Sequence, residues 1–452
     1  MSEVKILMVT FLAALASVAH GTDYVWNGGT SGEWTTGSNW TPSTGYPNGA
    51  GDTASFSPSA ATAVTVGSAV EVSGITVGGT GALTITGSAI TLGAGGITST
   101  STAAVGISND LAIATAATPL AVNGPTALST STPAGLLHLG GVVSGSGGLY
   151  KTGSGEVHIY GANTFTGTYE ALGNRKTKTG TTITATSNGS GETFIYNGSA
   201  LGVTHAYFDK GLDMNNSHGA RLTVAAPMTI GIPIQLTGDY ANNHSLHVNS
   251  DCDVTFNGDV DSRGRARIYV YTNGKARFKG KLTHGNYLDM HVASVGAEVF
   301  LHKPISGSNW VGDSGKGGKV HLFGTGGTAV NWFQNDGIII CEDENVIPPS
   351  LDYFQIYTAN CYIELNGYDQ KITKVNLAKL VFNSGAIEKI SSPAGHPAKM
   401  RFVGANVPSL GMILQFDGTA GMEWDPQSAS KVIFKFEKNK RNILRNTIGI
   451  FK

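Results

Sequence analysis

Residues 63–92 read AVTVGSAVEVSGITVGGTGALTITGSAITL, and this stretch decides the fold of the chain. It contains five short runs, at 63–66, 70–72, 75–77, 83–85 and 90–92. In each run an apolar residue alternates with a polar one, so one face is buried and the other meets water. Gly, Ser or Ala residues separate the runs and leave no room for a crossover helix. The pattern predicts short strands joined by tight corners.

Two all-β architectures accept such runs: antiparallel hairpins, or a solenoid whose strands stack turn upon turn. Asn-Gly hairpin signals are absent between residues 64 and 92. Low charge, small residues at corners and quasi-repetition are typical of a solenoid. We therefore predict an all-β parallel β-helix or solenoid over 63–180. For residues 181–425 the sequence leaves open a continued solenoid or a second, more irregular β-rich domain.

Composition agrees with this fold class. Glycine accounts for 62 of 452 residues, and charged residues for only 13%. The hydrophobic share of 40% is too high for a disordered chain, and no three-residue glycine period indicates collagen. Lysine and arginine are absent between Ile6 and Tyr150, so this part cannot bind a phosphate backbone electrostatically. The basic tail over 426–452 is typical of a solvated terminus, and we expect no nucleic-acid partner.

The N-terminus has the features of a secretory signal peptide over 1–21. Lys5 supplies a positive charge, residues 6–18 are apolar, and Ala19 and Gly21 suit signal peptidase. The apolar run is too short to span a membrane, so we expect no membrane-spanning segment after cleavage near Thr22. The sequence predicts a secreted or cell-surface protein, with a Trp-rich cap over 22–62.

Residues 147–167 read GGLYKTGSGEVHIYGANTFTG. This segment resembles the autotransporter-associated β-strand repeat of bacterial surface proteins, which has the form G-x-L-x-K-x-G-x-G-x-L-x-L-x-G-x-N-x-Y-x-G. The positions that match, exactly or by a mild apolar or aromatic change, are Leu149, Lys151, Gly153, Gly155, Val157, Ile159, Gly161, Asn163, Phe165 and Gly167. Residues 25–56 resemble the opening of such proteins, so the likeness covers about residues 22–170.

The resemblance implies a parallel β-helix passenger with structural side chains. Leu149, Val157 and Ile159 then point inward, and the glycines form corners with positive φ or close backbone approach. Asn163 satisfies corner backbone groups or stacks as a ladder between turns. Autotransporters that secrete themselves end in a membrane barrel, and we see no such alternation before Lys452. Export by another machine and a truncated reading frame both stay open.

Three tryptophans near the predicted mature start suggest two alternatives. Trp26, Trp34 and Trp40 form a carbohydrate-stacking surface, or they cap the open end of the solenoid.

An enzymatic alternative is a polysaccharide lyase or glycoside hydrolase built on a β-helix. Its candidate carboxylates come in two D-x-D pairs, followed by alternating arginines: Asp251, Asp253, Asp259, Asp261, Arg263, Arg265 and Arg267. Period-two spacing puts each pair on one strand face, where it can bind Ca²⁺ or act as an acid and base. The simpler interpretation is a solvated, charge-balanced face.

Cysteine and histidine spacing points to no metal or cofactor. Cys341 and Cys361 lie about one turn apart, so stacking can bring them together as a pair, or they are small buried hydrophobes. The sequence thus predicts an exported, non-catalytic structural or adhesive protein. Its expected partners are polysaccharide or the surface of a host or neighbouring cell.

Overall fold

The computed structural model describes residues 21–425 with internal gaps. Residues 1–20 of the predicted signal peptide and the basic tail over 426–452 lie outside the described residues, as does Arg263. The gaps are 29–30, 115–117, 123–134, 154, 173–176, 180–181, 185–191, 210–220, 238–243, 263–264, 286, 308–309, 314, 316, 329–330, 335, 349–352, 357–360, 374–385 and 404–411.

The described chain is almost entirely β-strand, with a 3-10 turn at Gly37–Asn39 and no α-helix among the described residues. In the first part the strands are β1 (Asp23–Trp26), β2 (Trp40–Thr41), β3 (Gly49–Phe56), β4 (Thr62–Val66), β5 (Val70–Val77), β6 (Leu83–Gly87), β7 (Ile90–Ser99), β8 (Ala104–Ile107), β9 (Leu111–Ile113), β10 (Thr118–Val122), β11 (Leu136–Leu139), β12 (Val143–Ser144), β13 (Leu149–Thr152) and β14 (Glu156–Ile159). The middle part holds β15 (Tyr169–Leu172), β16 (Thr177–Thr179), β17 (Thr182–Thr184), β18 (Glu192–Ile195), β19 (Ala206–Asp209), β20 (Arg221–Val224), β21 (Met228–Ile230), β22 (Ile234–Thr237), β23 (His244–Val248), β24 (Asp253–Phe256), β25 (Val260–Ser262), β26 (Arg265–Val270), β27 (Lys275–Phe278) and β28 (Leu282–His284). The last part holds β29 (Tyr287–Val292), β30 (Glu298–Leu301), β31 (Ser306–Gly307), β32 (Trp310–Asp313), β33 (Lys319–Leu322), β34 (Asn331–Gln334), β35 (Ile338–Cys341), β36 (Tyr353–Ile356), β37 (Cys361–Glu364), β38 (Gln370–Thr373), β39 (Ala386–Ser392), β40 (Ala398–Val403), β41 (Met412–Gly418) and β42 (Ala420–Asp425).

Except for β16 and β17, which form a separate antiparallel pair, these strands stack into long, mostly parallel sheets that form the faces of one coil. Sheet 1 has 15 strands and runs from β2 to β31, sheet 2 has 13 strands from β4 to β36, and sheet 3 has nine strands from β21 to β41. From β21 to β32 each turn visits sheet 3, sheet 1 and sheet 2 in that order. A three-stranded sheet 4 of β38, β40 and β42 follows sheet 3 in the last turns. The predicted parallel β-solenoid is confirmed.

The coil continues beyond residue 181 in the same sheets. Strand β18 pairs in parallel with β14, and β20 with β18, so sheet 2 crosses the predicted boundary without interruption. Strand alternation explains the packing, because alternate residues enter the core and their neighbours face outward, as in the burial of Val157 and Ile159 in β14. No helix of the described residues is long and apolar enough to cross a membrane.

The N-terminal segment closes the first turn of the coil. Strand β1 lies parallel to β3, and the antiparallel β2 ends sheet 1 on that side. The free edge of β4 in sheet 2 is also covered, since Thr65 donates to the carbonyl of Gly32 and Trp34 donates to the carbonyl of Thr65, each at 2.8 Å. Both strand edges are thereby protected from pairing with another chain.

The buried cysteines do not pair. Strand β35 aligns with β37 so that Ile339 lies opposite Ile363, which places Cys341 near Leu365 and Cys361 near Gly337. The two thiols therefore lie at opposite ends of adjacent strands, too far apart for a disulfide. The predicted Cys341–Cys361 disulfide is wrong, and all three cysteines are buried without forming a disulfide.

One inward-facing column of sheet 1 contains polar side chains inside the coil. From the N-terminal side it consists of Leu120, Lys151, Ala171, Phe208, Leu236, Ser262, His284 and Gly307. Lys151 is fully buried beside the small Ala171, and its Nζ donates to the carbonyl of Gly153 at 3.3 Å. His284 packs over Gly307, where any Cβ would collide with its ring.

Burial lowers the pKa of Lys151 from 10.5 to about 7, against the opposing attraction of Glu156 and Glu192. The unfolded chain keeps this proton up to about pH 10.5, whereas the folded chain releases it near pH 7. The contribution of Lys151 to the free energy of unfolding therefore decreases as the pH falls from about 10.5 to about 7, and is constant below.

The replacement Lys151→Met removes this penalty. Relative to wild type, we expect its free energy of unfolding to rise by about 4 kcal/mol as the pH is lowered from about 10 to about 7. Urea unfolding at both pH values measures the change. Lys279→Met, at an exposed lysine of the same coil, is the matched control and should show no such trend. Equal pH trends for the two variants would contradict the burial of a titrating Lys151.

Candidate functional site

The three tryptophans do not form a sugar-stacking surface. Trp34 and Trp40 are fully buried, with ring centroids 5.0 Å apart, and each packs against Phe56. Their indole nitrogens donate to the backbone carbonyls of Pro47 and Trp34. Trp26 is half-buried and lies edge-on to Trp40 at 5.0 Å. The predicted stacking role is wrong for Trp34 and Trp40, because their ring faces are used inside the end of the coil, where they act as a cap.

The segment over 147–167 forms a corner-rich turn of the coil. Its apolar and aromatic members Leu149, Val157, Ile159 and Phe165 are buried, as are Lys151 and Gly155. Gly153 has a φ of +82°. A Cβ at Gly161 would lie 2.1 Å from the carbonyl oxygen of Gly141, and one at Gly167 would lie 2.4 Å from the backbone of Gly147. These glycines permit backbone conformations and contacts that side chains exclude.

Asn163 ties three successive turns together. It is fully buried. Its Oδ1 accepts from the amide of Val143 at 2.7 Å, and its Nδ2 donates to the carbonyl of Ala200 at 2.6 Å. Both bonds satisfy backbone groups that a corner leaves without strand partners.

The carboxylates of the enzymatic alternative are dispersed. Asp253 begins β24 on sheet 3 and forms a two-pronged ion pair with Arg277, at 2.9 and 3.2 Å. Asp261 lies in β25 on sheet 1 and accepts from the hydroxyl of Thr283 at 2.7 Å.

The remaining acids of that set act in the same way. Asp251 accepts from the side chain of Asn273 at 3.0 Å, and Asp259 from the amide of Lys281 at 2.8 Å. Each acid thus bonds to the next turn, and the two pairs lie on different faces of the coil. Arg267 contacts Asp289 at 2.5 Å instead. No group of His, Cys, Asp and Glu in the described part of the chain is arranged to hold a metal ion.

A different cluster stands out on the outer face of sheet 2. One column of outward positions holds a ring in six of seven successive strands. The column consists of His138, His158, Phe194, Thr223, His247, Tyr269 and His291. The rings stack along the coil axis, with centroids 4.3 Å apart for His158 and Phe194 and 4.4 Å for Tyr269 and His291. We call this set the ring column.

Tyrosines flank the ring column on one side. Tyr160 and Tyr196 stack face to face, 4.3 Å apart and 12° from parallel. The hydroxyl of Tyr160 lies 3.2 Å from Nδ1 of His138, and that of Tyr196 lies 3.0 Å from Nδ1 of His158. Further along, the hydroxyl of Tyr271 lies 3.2 Å from Nδ1 of His247. Each tyrosine is held in place by an imidazole of the column.

Charged groups line the other side. Glu156 lies 3.2 Å from Nε2 of His158. Glu192 pairs with Arg221 at 3.1 Å and also accepts from the hydroxyl of Thr223. Arg221 thus neutralises Glu192, whereas Glu156 lies beside an imidazole that carries a charge only when it is protonated.

Protonation states favour hydrogen bonding over charge at the N-terminal end of the face. Burial, and then the neighbouring His158, lower the pKa of His138 below its ordinary value. Burial and the adjacent Tyr160 raise the pKa of Tyr196 to about 12. A neutral imidazole and protonated phenols donate and accept hydrogen bonds without carrying charge. The surface therefore offers ring edges and hydroxyls, a combination suited to polyhydroxylated ligands.

Sheet 3 carries a smaller ring group. Phe300 and His321 stack at 4.4 Å, and the guanidinium of Arg277 lies 4.2 Å from the centroid of Phe300. His321 contacts Glu342 at 2.7 Å. This group is more charged than the ring column.

The ring column was not identified from the sequence, although part of its signal is there. His138, His158, Phe194 and Tyr269 occupy the polar positions of alternating strands, where Thr is the rule in residues 63–92. What the sequence hides is their alignment, because the spacing between neighbours in the column varies.

Comparisons with protein-family models, with curated proteins and with solved structures find no match for this chain. The resemblance of residues 147–167 to the autotransporter-associated repeat therefore stays a prediction.

Proposed function

We propose that this chain is an exported surface protein whose stiff β-solenoid binds carbohydrate along the outer face of sheet 2. It acts as an adhesive or structural scaffold and not as an enzyme. The partner is polysaccharide, on a neighbouring or host cell or in the surrounding matrix. The observation that carries the proposal is the ring column with its flanking tyrosines.

The geometry of this face supports binding along the coil. Strands of successive turns lie roughly 4.8 Å apart, so the column from His138 to His291 forms a strip along the coil. Its half-buried rings lie toward the two ends, because Thr223 and His247 between them are buried. Tyrosine presents an apolar ring and a polar hydroxyl at low conformational cost, which suits weak contacts with sugars. Repetition along the strip allows many such contacts to act together.

Export is supported by sequence features at the N-terminus. The positive Lys5, the apolar run over 6–18 and the small residues Ala19 and Gly21 form a signal-peptide pattern. The resemblance of residues 147–167 to a repeat of bacterial surface proteins also supports a location outside the cytoplasm.

Removing rings from sheet 2 should weaken glycan binding. The double variant Tyr160→Ala/Tyr271→Ala should lose at least tenfold in affinity, since each stacking ring contributes about 1 kcal/mol or more. Affinity gel electrophoresis against a panel of neutral and acidic polysaccharides measures this. Tyr368→Ala is the matched control, because Tyr368 is 36% exposed but lies away from sheet 2. Failure of the wild-type chain to bind any glycan would refute the proposed function.

Export predicts a processed N-terminus. When the full reading frame is expressed in a secreting bacterial host, the protein outside the cytoplasm should begin near Thr22. N-terminal peptide mass spectrometry checks this. Ala19→Arg, which places a large charged side chain at the position where the peptidase requires a small one, should block processing. An intact Met1 terminus on exported wild-type protein would contradict the assignment.

A further inference from the structure

Tyr160 stands at a step in the outer face of sheet 2. On the C-terminal side its ring is covered by Tyr196, stacked at 4.3 Å. On the N-terminal side the residue opposite it is Gly140, because the amide of Tyr160 donates to the carbonyl of Leu139. Gly140 has no side chain, so this ring face has no covering neighbour in its own column. Tyr160 is accordingly 40% exposed.

On the N-terminal side of this step lies a flat surface made of small residues, which we call the polar shelf. It consists of Thr84, Thr86, Gly106, Ser108 and Gly140. Thr84, Ser108 and Gly140 are exposed, and Thr86 and Gly106 are half-buried. The shelf spans three strands, roughly 10 to 14 Å along the coil axis.

The end of the shelf has a wall of two rings. His138 lies in the adjacent column, next to Gly106, and its Nδ1 is 3.2 Å from the hydroxyl of Tyr160. The two rings are nearly parallel and offset from each other, with centroids 5.8 Å apart and 24° between their planes. Hydroxyl groups of Thr84, Thr86 and Ser108 project from the floor, where each can donate and accept.

The shelf carries no formal charge. Strands β6, β8 and β11, which form it, contain no Asp, Glu, Lys or Arg. The paired Glu192 and Arg221 lie beyond Tyr160 on the opposite side of the step. A uronate or sulfate placed on the shelf would lose water without gaining a cationic partner.

We propose that the shelf and the exposed face of Tyr160 form a binding subsite for an uncharged oligosaccharide, with one sugar ring stacked on Tyr160. This inference rests on the proposed function and narrows it to a place and a ligand class. The stacked sugar fills the space above Gly140, and the following units lie along the floor. Hydrogen bonds from His138 and the shelf hydroxyls orient it.

Filling the space above Gly140 tests the subsite without removing any of its groups. In Gly140→Val a branched side chain covers the ring face of Tyr160. The atoms nearest to the added Cβ are Oγ, Cα and Cβ of Ser108, at 3.0, 3.3 and 3.4 Å, so the variant requires rotation of this hydroxyl and a shift of a few tenths of an ångström. Ala225→Val is the matched control. The amide of Ala225 donates to the carbonyl of Ile195, so Ala225 lies opposite Tyr196 on the next strand, in the same column as Gly140 and Tyr160. Tyr160→Ala removes the ring, and Tyr160→Phe keeps it without the hydroxyl.

Calorimetric titration of the full chain with neutral and with acidic oligosaccharides gives the readout, after circular dichroism has shown each variant to be folded. We expect wild type and Ala225→Val to bind a neutral oligosaccharide within about threefold of one another, and Gly140→Val and Tyr160→Ala to bind at least tenfold more weakly. Tyr160→Phe, which keeps the ring, should bind more tightly than Tyr160→Ala. Equal affinity of Gly140→Val and wild type would overturn the subsite, as would binding of acidic oligosaccharides alone. In those cases the proposed function stands, because glycan binding then occurs elsewhere on the coil. Loss of all glycan binding by wild type would overturn both.

Discussion

The backbone hydrogen bonds between parallel strands of successive turns are the constraint on which this structure depends. They fix which residue of one turn lies above which residue of the next, and side chains then fall into columns. Inward columns form the core, from Val64 and Ile85 at one end to Met400 at the other. Outward columns form surfaces in which residues far apart in sequence become neighbours. Tyr160 and Tyr196 are one such pair, and they exist as a stack only because their strands are in register.

The apolar core of the coil accommodates a large polar side chain where its neighbour in the column is small. Lys151 lies next to Ala171, and His284 over Gly307. Asn163 and Asn109 instead bond to backbone carbonyls of adjacent turns, those of Ala200 and Ser88. Buried polar groups in this fold are thus placed by turn-to-turn stacking, and the same rule applies to the outward acids that bond to the following turn.

The fold class could be predicted from the alternation of apolar and polar residues, because this alternation is what a strand with one buried face requires. The runs in residues 63–92 correspond to strands β4 to β7. The columns could not be predicted in the same way, since the length of a turn varies along the chain. Tyr269 and His291 are 22 residues apart, Gly106 and His138 are 32, and His158 and Phe194 are 36. A pattern without a constant period does not reveal which outward residues meet.

The burial of single side chains could not be predicted from the sequence either. Tryptophan suits both a core and a sugar-binding surface, and only the packing of Trp34 against Trp40 and Phe56 distinguishes the two. Cys341 and Cys361 are one turn apart in sequence, yet the register shifts them to opposite strand ends. In both cases the type of residue indicated which roles were possible. Its position in the stacked turns decided which role it has.

The register of sheet 2 is the central claim, and an engineered disulfide across it is the most direct test. An ideal Cβ at Gly140 lies 3.4 Å from Cβ of Ser108, close to the roughly 3.5 to 4.5 Å that disulfides span. Mild oxidation of the variant Ser108→Cys/Gly140→Cys, followed by peptide mapping under non-reducing conditions, should find the two cysteines joined. The variant Thr86→Cys/Gly140→Cys, whose positions lie two turns apart, should stay unlinked. Equal cross-linking of both pairs, or of neither, would contradict the account.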